Sequence, residues 1–504
     1  MSYNLLDEPW IPVLGTNGKP CRKGIRDALT QAGRIRQIAA SNPMDNVALL
    51  RLLIAVLHWC KPNADEEEIA KLQRPGATAL PEEWLTKLDC ESARFDLLGT
   101  DAGFYQNHKA WTEVEQKTKT GKAKAGGDQA GVRPVTDLLQ ELPSGTNTAH
   151  FRHTRDMRDG LCPACCAIGL VRLPAFATSG KHGKERQKPA GINGPTPVYG
   201  VTSGASLLDT LLLNWPLDGV GDDEPSWGAT EPTKSNLGPL RAFTWQPRTV
   251  WLERPEAEQP EGTCCSCGRR SHLIYRIAFL PGWDRPFKNR PWPDDPHVLS
   301  IHRPPAKEKG QPKTEPVAFP GPLRGAQAHA ASWRQTYRAS LQRLAAATGQ
   351  ADPTAIVCSG PAANKALYQD AATQSWQFPP LGVGKDQVDS ALQELDWLDR
   401  LRLGPMLLNA LPVRNAKQRP EVKSTVSDAA AGTERLLRKR FEELFRALGG
   451  EDPDEAVRRW RKGVRTDCER KLKEACAAIV VGSPLRLREA MSGVERVMEE
   501  GGES

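Results

Sequence analysis

The chain has 504 residues, enough for about two to four domains, and its 39% hydrophobic residues exclude a wholly disordered protein. Its 43 glycines and 41 prolines indicate many loops. The 68 lysines and arginines against 61 acidic residues give a net charge of +7, which permits contact with nucleic acid without demonstrating it.

The first 60 residues predict a strand, a turn and a buried helix. Apolar residues at 5–13 favour the strand, Asn-Gly at 17–18 favours a turn, and an apolar run at 47–60 predicts a helix buried on all sides. Arg51 interrupts this segment, and its longest apolar run, at 47–57, is too short to span a bilayer. The N-terminus carries acids where a signal peptide has a basic region, so we expect a cytoplasmic protein with no membrane contact.

Two C-x-x-C units predict a metal site. Their spacing places paired thiolates on one side of a tight turn, and four thiolates complete a structural Zn²⁺ site made of Cys162, Cys165, Cys264 and Cys267. The fold must bring the pairs together, because 98 residues separate Cys165 from Cys264. The alternatives are a site of three cysteines and His272, two unrelated turns with buried thiols, and a redox dithiol at 162–165.

Signatures of catalysis are absent from the sequence. It has no phosphate-binding loop, no nucleophile elbow and no zinc-protease helix motif, and its nine histidines are scattered. Asp294 and Asp295 stand in a proline-rich stretch and are interpreted as a solvated turn. The sequence therefore predicts a protein that is not an enzyme.

Three segments combine small residues with basic ones, as an approach to a phosphate backbone requires. They are 179–194, with glycines among lysines; 283–290, a basic and aromatic loop; and 359–366, a small-residue turn. Together with the cysteines they indicate a zinc-containing protein that binds nucleic acid or takes part in assembly.

From about residue 385 onwards the pattern is helical. Apolar faces at 388–401 and 436–448, the second ended by two glycines, predict two helices. A third is predicted from Asp452 to about Arg461, a fourth from Asp467, and a last one from Ser483-Pro484. Short links between them favour a helical bundle.

The order of several motifs resembles the CasA family, the large subunit of the type I-E CRISPR Cascade surveillance complex. The matching segments are NLLDEPWIPV at 4–13, GLCPAC at 160–165, GPTPV at 194–198, LRAFTWQP at 240–247 and WPDDPH at 292–297. The resemblance runs from residue 4 to about 300, and the helical end of the chain completes it.

The resemblance implies an α+β fold: a mixed α/β N-terminal domain with a structural zinc site at 1–380 and a C-terminal four-helix bundle at 381–504. It implies a non-catalytic subunit that recognises the protospacer-adjacent motif in double-stranded DNA, promotes strand separation and R-loop formation, and recruits the helicase-nuclease. Its other partners would be the 5′ handle of the CRISPR RNA and the backbone, small and RNA-processing subunits.

The resemblance also assigns roles to residues. The four cysteines match the zinc ligands, and Phe151 matches an aromatic residue that docks on the RNA-holding end of the complex. The DNA-binding positions are Gly180, Lys181, His182 and Gly183 of a glycine loop, Lys288 or the nearby Arg285 as a lysine finger in the minor groove, and Asn364, Lys365 and Ala366 of a wedge.

One position departs from the family. The family is known for glutamine at its wedge, whereas this chain has Lys365, whose charge favours phosphate over base edges. We therefore expect its preferred motif to differ. The alternative function is a zinc-containing RNA-binding or assembly factor unrelated to CRISPR, and a thiol redox enzyme is a third hypothesis.

Overall fold

A computed structural model describes most of the chain. The described residues are 2–62, 64, 66–72, 78–100, 102–119, 131–141, 159–178, 180–182, 186–195, 197–215, 223–227, 237–256, 258–287, 291–292, 294–303, 313–316, 355–364, 367–377, 420–448, 452–480 and 483–500. They form two compact units. The first contains the described residues up to 316 together with 357–374, and the second contains the three C-terminal helices.

The first unit mixes short helices with small sheets, as the predicted fold class requires. Its helices are α1 (Ile25–Thr30), α2 (Pro43–Cys60), α3 (Glu66–Leu72), α4 (Thr86–Cys90), α5 (His108–Lys119), α6 (Pro163–Phe176), α7 (Leu207–Leu213) and α8 (Pro239–Phe243). Its strands, two of which reach residues outside it, are β1 (Ile11–Gly15), β2 (Pro20–Lys23), β3 (Ile35–Ile38), β4 (Val132–Pro134), β5 (Gly180–His182), β6 (Arg186–Lys188), β7 (Tyr199–Ser203), β8 (Arg248–Leu252), β9 (Gly262–Thr263), β10 (Arg270–Ser271), β11 (Arg276–Pro281), β12 (Ser300–Arg303), β13 (Lys313–Pro316), β14 (Ala355–Asn364) and β15 (Leu367–Gln377).

The strands form three-stranded sheets and hairpins. The sheets have the orders β2-β1-β3, β4-β11-β8 and β15-β14-β7, and the pairs are β5-β6, β9-β10 and β12-β13. The pairings of β1 and of β11 are antiparallel, so the first two sheets are antiparallel throughout. The predicted N-terminal strand is confirmed only from Ile11 onwards, because residues 5–9 form turns and bends. The Asn-Gly turn is confirmed, with Gly18 at φ +77 in the left-handed conformation that glycine adopts freely.

Helix α2 is the centre of the first unit. Asn42 caps its N-terminus by accepting a hydrogen bond from the backbone N–H of Met44, and Pro43 occupies the first helical position. Fifteen of its eighteen residues are buried, which confirms the predicted buried helix. By length and composition alone α2 could cross a membrane, contrary to the prediction, but its burial inside the protein is that of a core helix.

A second buried helix, α6, packs against α2 and carries a buried charge. Arg172 of α6 donates to both carboxylate oxygens of Asp45 in α2, at 2.6 and 2.8 Å, and it also pairs with Glu141. Removing one partner of such a pair would leave an unpaired buried charge, so this contact between the two helices should be costly to break.

The second unit contains α9 (Pro420–Leu448), α10 (Pro453–Ile479) and α11 (Pro484–Glu500). The predicted end of a helix at 448 and the predicted starts at 453 and 484 are confirmed, and Asp452 caps α10. The predicted break between 461 and 467 is wrong. Gly463 alone does not end the helix, because one buried stripe continues through it in Trp460, Val464, Cys468 and Leu472.

The predicted helix at 388–401 and the boundary between 380 and 381 lie outside the described residues. A bundle of four helices therefore stays a prediction.

Candidate metal centre and nucleic-acid-binding loops

The four cysteines of the two C-x-x-C units meet in one cluster. The Sγ atoms of Cys162, Cys165, Cys264 and Cys267 all lie within 4.8 Å of one another, and three of these residues are buried. A backbone bridge joins the two halves, since Leu161 and Ile274 exchange hydrogen bonds of 3.0 and 2.9 Å. This bridge brings together the two C-x-x-C units, which are far apart in the sequence.

Glycines allow both halves of the cluster to close. Gly160 has no room for a side chain, because a Cβ there would lie 2.7 Å from Cβ of Leu273. The second C-x-x-C stands in the turn between β9 and β10, where Gly268 at φ +71 donates its N–H to the carbonyl of Cys264. From the other half of the cluster, the backbone N–H of Cys162 donates to Sγ of Cys264 at 3.3 Å.

The donor set fits a divalent metal. A tetrahedron with metal–sulfur bonds of about 2.3 Å has sulfur–sulfur edges of about 3.8 Å, and Sγ of Cys162 lies 3.7 Å from Sγ of Cys267. Hydrogen bonds from Cys162 and Cys165 hold the pKa of the Cys264 thiol well below its ordinary value, whereas hydrogen bonding with Cys162 and Cys264 raises the pKa of Cys165. Thiolates rather than thiols bind metal, so a cation that enters this cluster would displace protons from it.

The alternatives to a four-cysteine site are less well supported. His272 contacts the backbone carbonyl of Gln259 through Nδ1 at 2.9 Å, and the cluster that could hold a metal consists of the four cysteines. Cys162 does occupy the N-cap position of α6, where a redox dithiol would stand, but its side chain makes no capping hydrogen bond. The second pair of sulfurs beside it favours metal binding.

The predicted DNA-binding loops lie in three places. Gly180, Lys181 and His182 form β5, which pairs antiparallel with β6 so that Lys181 stands opposite Gln187. Asn364 ends β14, and β15 begins at Leu367. Four of the predicted site residues and the docking residue lie outside the described residues: Gly183, Lys288, Lys365, Ala366 and Phe151.

Arg285 is half-buried and bound to the protein itself. Its Nε donates to the carbonyl of Ile192 at 3.0 Å, and its NH2 group donates to the carbonyl of Phe287 at 2.9 Å. Burial lowers the pKa of its guanidinium. Its part in DNA binding stays a prediction, but the structure gives it a role in shaping the loop.

The stems of the three predicted segments converge. The segment after residue 282 is attached through Arg285 to the turn at 191–194. A Cβ at Gly360 of β14 would lie 2.7 Å from the carbonyl oxygen of Pro197, just beyond that turn. β14 also pairs with β7, which begins at Tyr199. Loops that are distant in sequence therefore arise from one region of the first unit.

A buried ion pair at this region was missed by the sequence analysis. The interpretation of Asp295 as part of a solvated turn is wrong, because its side chain is fully buried and accepts hydrogen bonds of 2.8 Å on each oxygen from Arg51. The Arg51 guanidinium also lies 4.0 Å from the ring centroid of Phe243. A lone arginine inside an apolar helix was the available signal, since a buried charge needs a partner.

His297 belongs to the same buried group. Its Nδ1 lies 3.2 Å from NH1 of Arg51, and burial with the nearby Arg51 charge lowers the pKa of His297 to about 3. The imidazole is therefore neutral at physiological pH. Arg51 in turn keeps the pKa of Asp295 below its ordinary value although burial opposes this.

Comparison with known proteins agrees with this architecture. The family described as CRISPR-associated protein Cse1 matches residues 4–470. The chain belongs to the Cse1 family. This confirms the resemblance found in the sequence motifs, because a relative from Thermus thermophilus bears the name CRISPR-associated protein CasA/Cse1 and is 30% identical over 267 residues. That alignment covers 50% of this chain and 49% of the relative, so it spans about half the length of each.

Solved structures share the fold over nearly the whole chain. The crystal structure of CasA from Thermus thermophilus has a TM-score of 0.69 at 19% identity, covering 99% of this chain and 100% of that one. A chain of a structure titled CRISPR RNA-guided surveillance complex has a TM-score of 0.67 at 15% identity, covering 99% of each. At these identities the likeness establishes the fold.

Proposed function

We propose that this chain is the large, non-catalytic subunit of a type I-E RNA-guided surveillance complex in the cytoplasm. Its membership of the Cse1 family over residues 4–470 carries this proposal. The shared fold with a chain of a CRISPR RNA-guided surveillance complex supports it. Its partners would be the CRISPR RNA 5′ handle, the other Cascade subunits, target DNA and the helicase-nuclease.

Recognition of the protospacer-adjacent motif is the proposed task of the converging loops. The β5-β6 hairpin supplies lysines, the segment carrying Lys288 supplies the minor-groove finger, and the β14-β15 connection at Asn364, Lys365 and Ala366 supplies the wedge. Loops that arise from one region can contact the same few base pairs, and minor-groove patterns are degenerate, so several related motifs should be accepted. Base pairing with the RNA would read the rest of the target.

The cysteine cluster would hold a structural Zn²⁺ through Cys162, Cys165, Cys264 and Cys267. With four thiolate ligands the ion has no open position for water, so it would hold residues 160–165 against 262–274 and supply no chemistry. Phe151 would dock the chain on the RNA-holding end of the complex, and the C-terminal helices would complete a four-helix bundle.

A binding experiment with a randomised flank tests the proposal. The RNA-loaded complex is reconstituted with and without this chain and titrated with duplexes that carry a matched target and three random flanking bases. We expect a sharp flank preference only when the chain is present. Binding that is independent of the flank in both cases would contradict motif recognition, and high affinity for RNA by the isolated chain would favour the RNA-binding factor.

Single substitutions then test the role proposed for each loop. Lys288→Ala should weaken binding to the preferred flank and reduce the slope of log affinity against log salt by about 0.9, for the loss of one positive charge at the DNA. Lys365→Ala should reduce R-loop formation after docking. The matched control is Lys19→Ala, which removes an exposed charge at the β1-β2 turn. Equal effects of Lys19→Ala and Lys288→Ala would contradict the assignment of the finger.

A further inference from the structure

One buried turn holds both ends of the segment from Arg285 to Trp292. Nε of Arg285 donates to the carbonyl of Ile192 at 3.0 Å, and the backbone N–H of Trp292 donates to Oδ1 of Asn193 at 2.9 Å. The two ends of the segment are thus attached to consecutive residues. Residues 288–290, between these ends, lie outside the described residues. In general, fixing both ends of a chain segment reduces its conformational freedom.

The turn itself is attached to the end of α6. The N–H of Ile192 donates to the carbonyl of Pro174 at 3.0 Å, and Gly194 at φ +111 donates back to the carbonyl of Gly191 at 3.0 Å. A Cβ at Gly191 would lie 2.6 Å from the carbonyl oxygen of Ala175. The turn therefore rests directly on the backbone of a buried helix.

Asn193 is the residue that makes the turn an anchor. Its side chain is fully buried, and while Oδ1 accepts from Trp292, Nδ2 donates to Oδ2 of Asp295 at 2.6 Å and to the hydroxyl of Tyr199 at 3.1 Å. These partners demand an acceptor on one side and a donor on the other, which an asparagine amide supplies. Asp295 is held in turn by Arg51, so the anchor is connected to the central helix.

We propose that Asn193 is a positioning residue that holds Trp292 in place before DNA binds, at the C-terminal end of the segment that begins at Arg285. The effect on DNA binding rests on the proposed function, in which that segment carries Lys288. Asn193 is buried, so it would act on DNA binding through the segment. Ordering a loop in advance removes a conformational-entropy cost from binding. Arg285 is the second anchor, through the carbonyls of Ile192 and Phe287.

Hydrogen exchange of the purified full-length chain, without DNA, tests the anchor directly. Asn193→Ala should raise exchange at 283–292 at least about tenfold. The matched control Tyr199→Phe removes one partner of Asn193 but leaves the bond to Trp292, so exchange there should not change. Protection of α2 reports whether each variant is folded. Unchanged exchange at 283–292 in a folded Asn193→Ala chain would overturn the proposal.

A second variant covers the case in which Asn193→Ala does not fold. Arg285→Lys keeps the positive charge but cannot contact both carbonyls, so it should also raise exchange at 283–292. If exchange there is unchanged while DNA binding weakens, Arg285 is a direct DNA contact and the second anchor is refuted.

A double-mutant cycle of Asn193 and Lys288, measured by DNA binding, tests whether the anchor affects DNA recognition. In the reconstituted complex, Asn193→Ala should weaken binding to the preferred flank about tenfold, which corresponds to about 1.4 kcal/mol. This loss should disappear in a Lys288→Ala background, because the residue that benefits from positioning is gone. Full additivity would overturn the link between anchor and finger. If Lys288→Ala alone has no effect, the proposed function of the segment fails, and hydrogen exchange still decides whether Asn193 anchors it.

Discussion

Replacing Asp295 by asparagine tests its buried ion pair with Arg51, which joins α2 to the residues just after Trp292. The substitution keeps the shape of the side chain but removes the negative charge opposite Arg51. It also turns one carboxylate oxygen into an amide that faces the donors of Arg51 and Asn193. The Arg51 guanidinium is then left without its counter-ion at 2% side-chain exposure.

The expected loss of stability depends on which hydrogen bonds residue 295 keeps in the variant. Two hydrogen bonds of 2.8 Å to Arg51 are disturbed, together with the 2.6 Å bond from Asn193. The amide oxygen can still accept from the N–H groups of His297 and Val298. Removing one partner of a buried pair costs about 3–5 kcal/mol, so we expect a loss in that range, a large part of the stability of an ordinary domain.

The assay is urea unfolding followed by tryptophan fluorescence, with hydrogen exchange in α2 assigning the transition to the first unit. The matched control is Asp294→Asn, because Asp294 is the exposed neighbour and its loss should change stability by less than about 0.5 kcal/mol. Combining Arg51→Met with Asp295→Leu should recover much of the loss, since no unpaired charge remains. If Asp295→Asn is as mild as Asp294→Asn, the reasoning about this pair is refuted.

Two further predictions concern pH and metal. Burial and the Arg51 charge lower the pKa of His297 from 6.5 to about 3. Between these two pH values the unfolded chain binds a proton that the folded chain does not. The stability should therefore fall as the pH drops below about 6.5, by up to about 1.4 kcal/mol per pH unit. His297→Gln should remove this part of the slope, and an unchanged slope would contradict it. Cys267→Ser should abolish stoichiometric zinc in elemental analysis of the purified chain, whereas the neighbouring Cys265→Ser should keep it; equal metal content in both variants would exclude Cys267 as a ligand.

Local chemistry explains which features were predictable from the sequence. The buried helix α2 follows from an apolar run with a cap at Asn42, and the β9-β10 turn follows from C-x-x-C with Gly268 after it. The break predicted between Arg461 and Asp467 is wrong, because the buried stripe through Trp460 and Val464 continues across it in one helix, α10. Hydrophobic periodicity is the stronger determinant, since burial stabilises a helix more than exposed charges do.

The sequence by itself determined the two C-x-x-C units, the mixture of helices and strands and the resemblance to the family, because each depends on residue types at short spacing or on motifs in a fixed order. The tertiary structure decided which distant groups meet. It joined the two C-x-x-C units through Leu161 and Ile274, and it buried Asp295 against Arg51, 244 positions earlier in the chain. Such pairings follow from how helices and sheets pack, and no local pattern around Asp295 distinguishes a buried carboxylate from a solvated one.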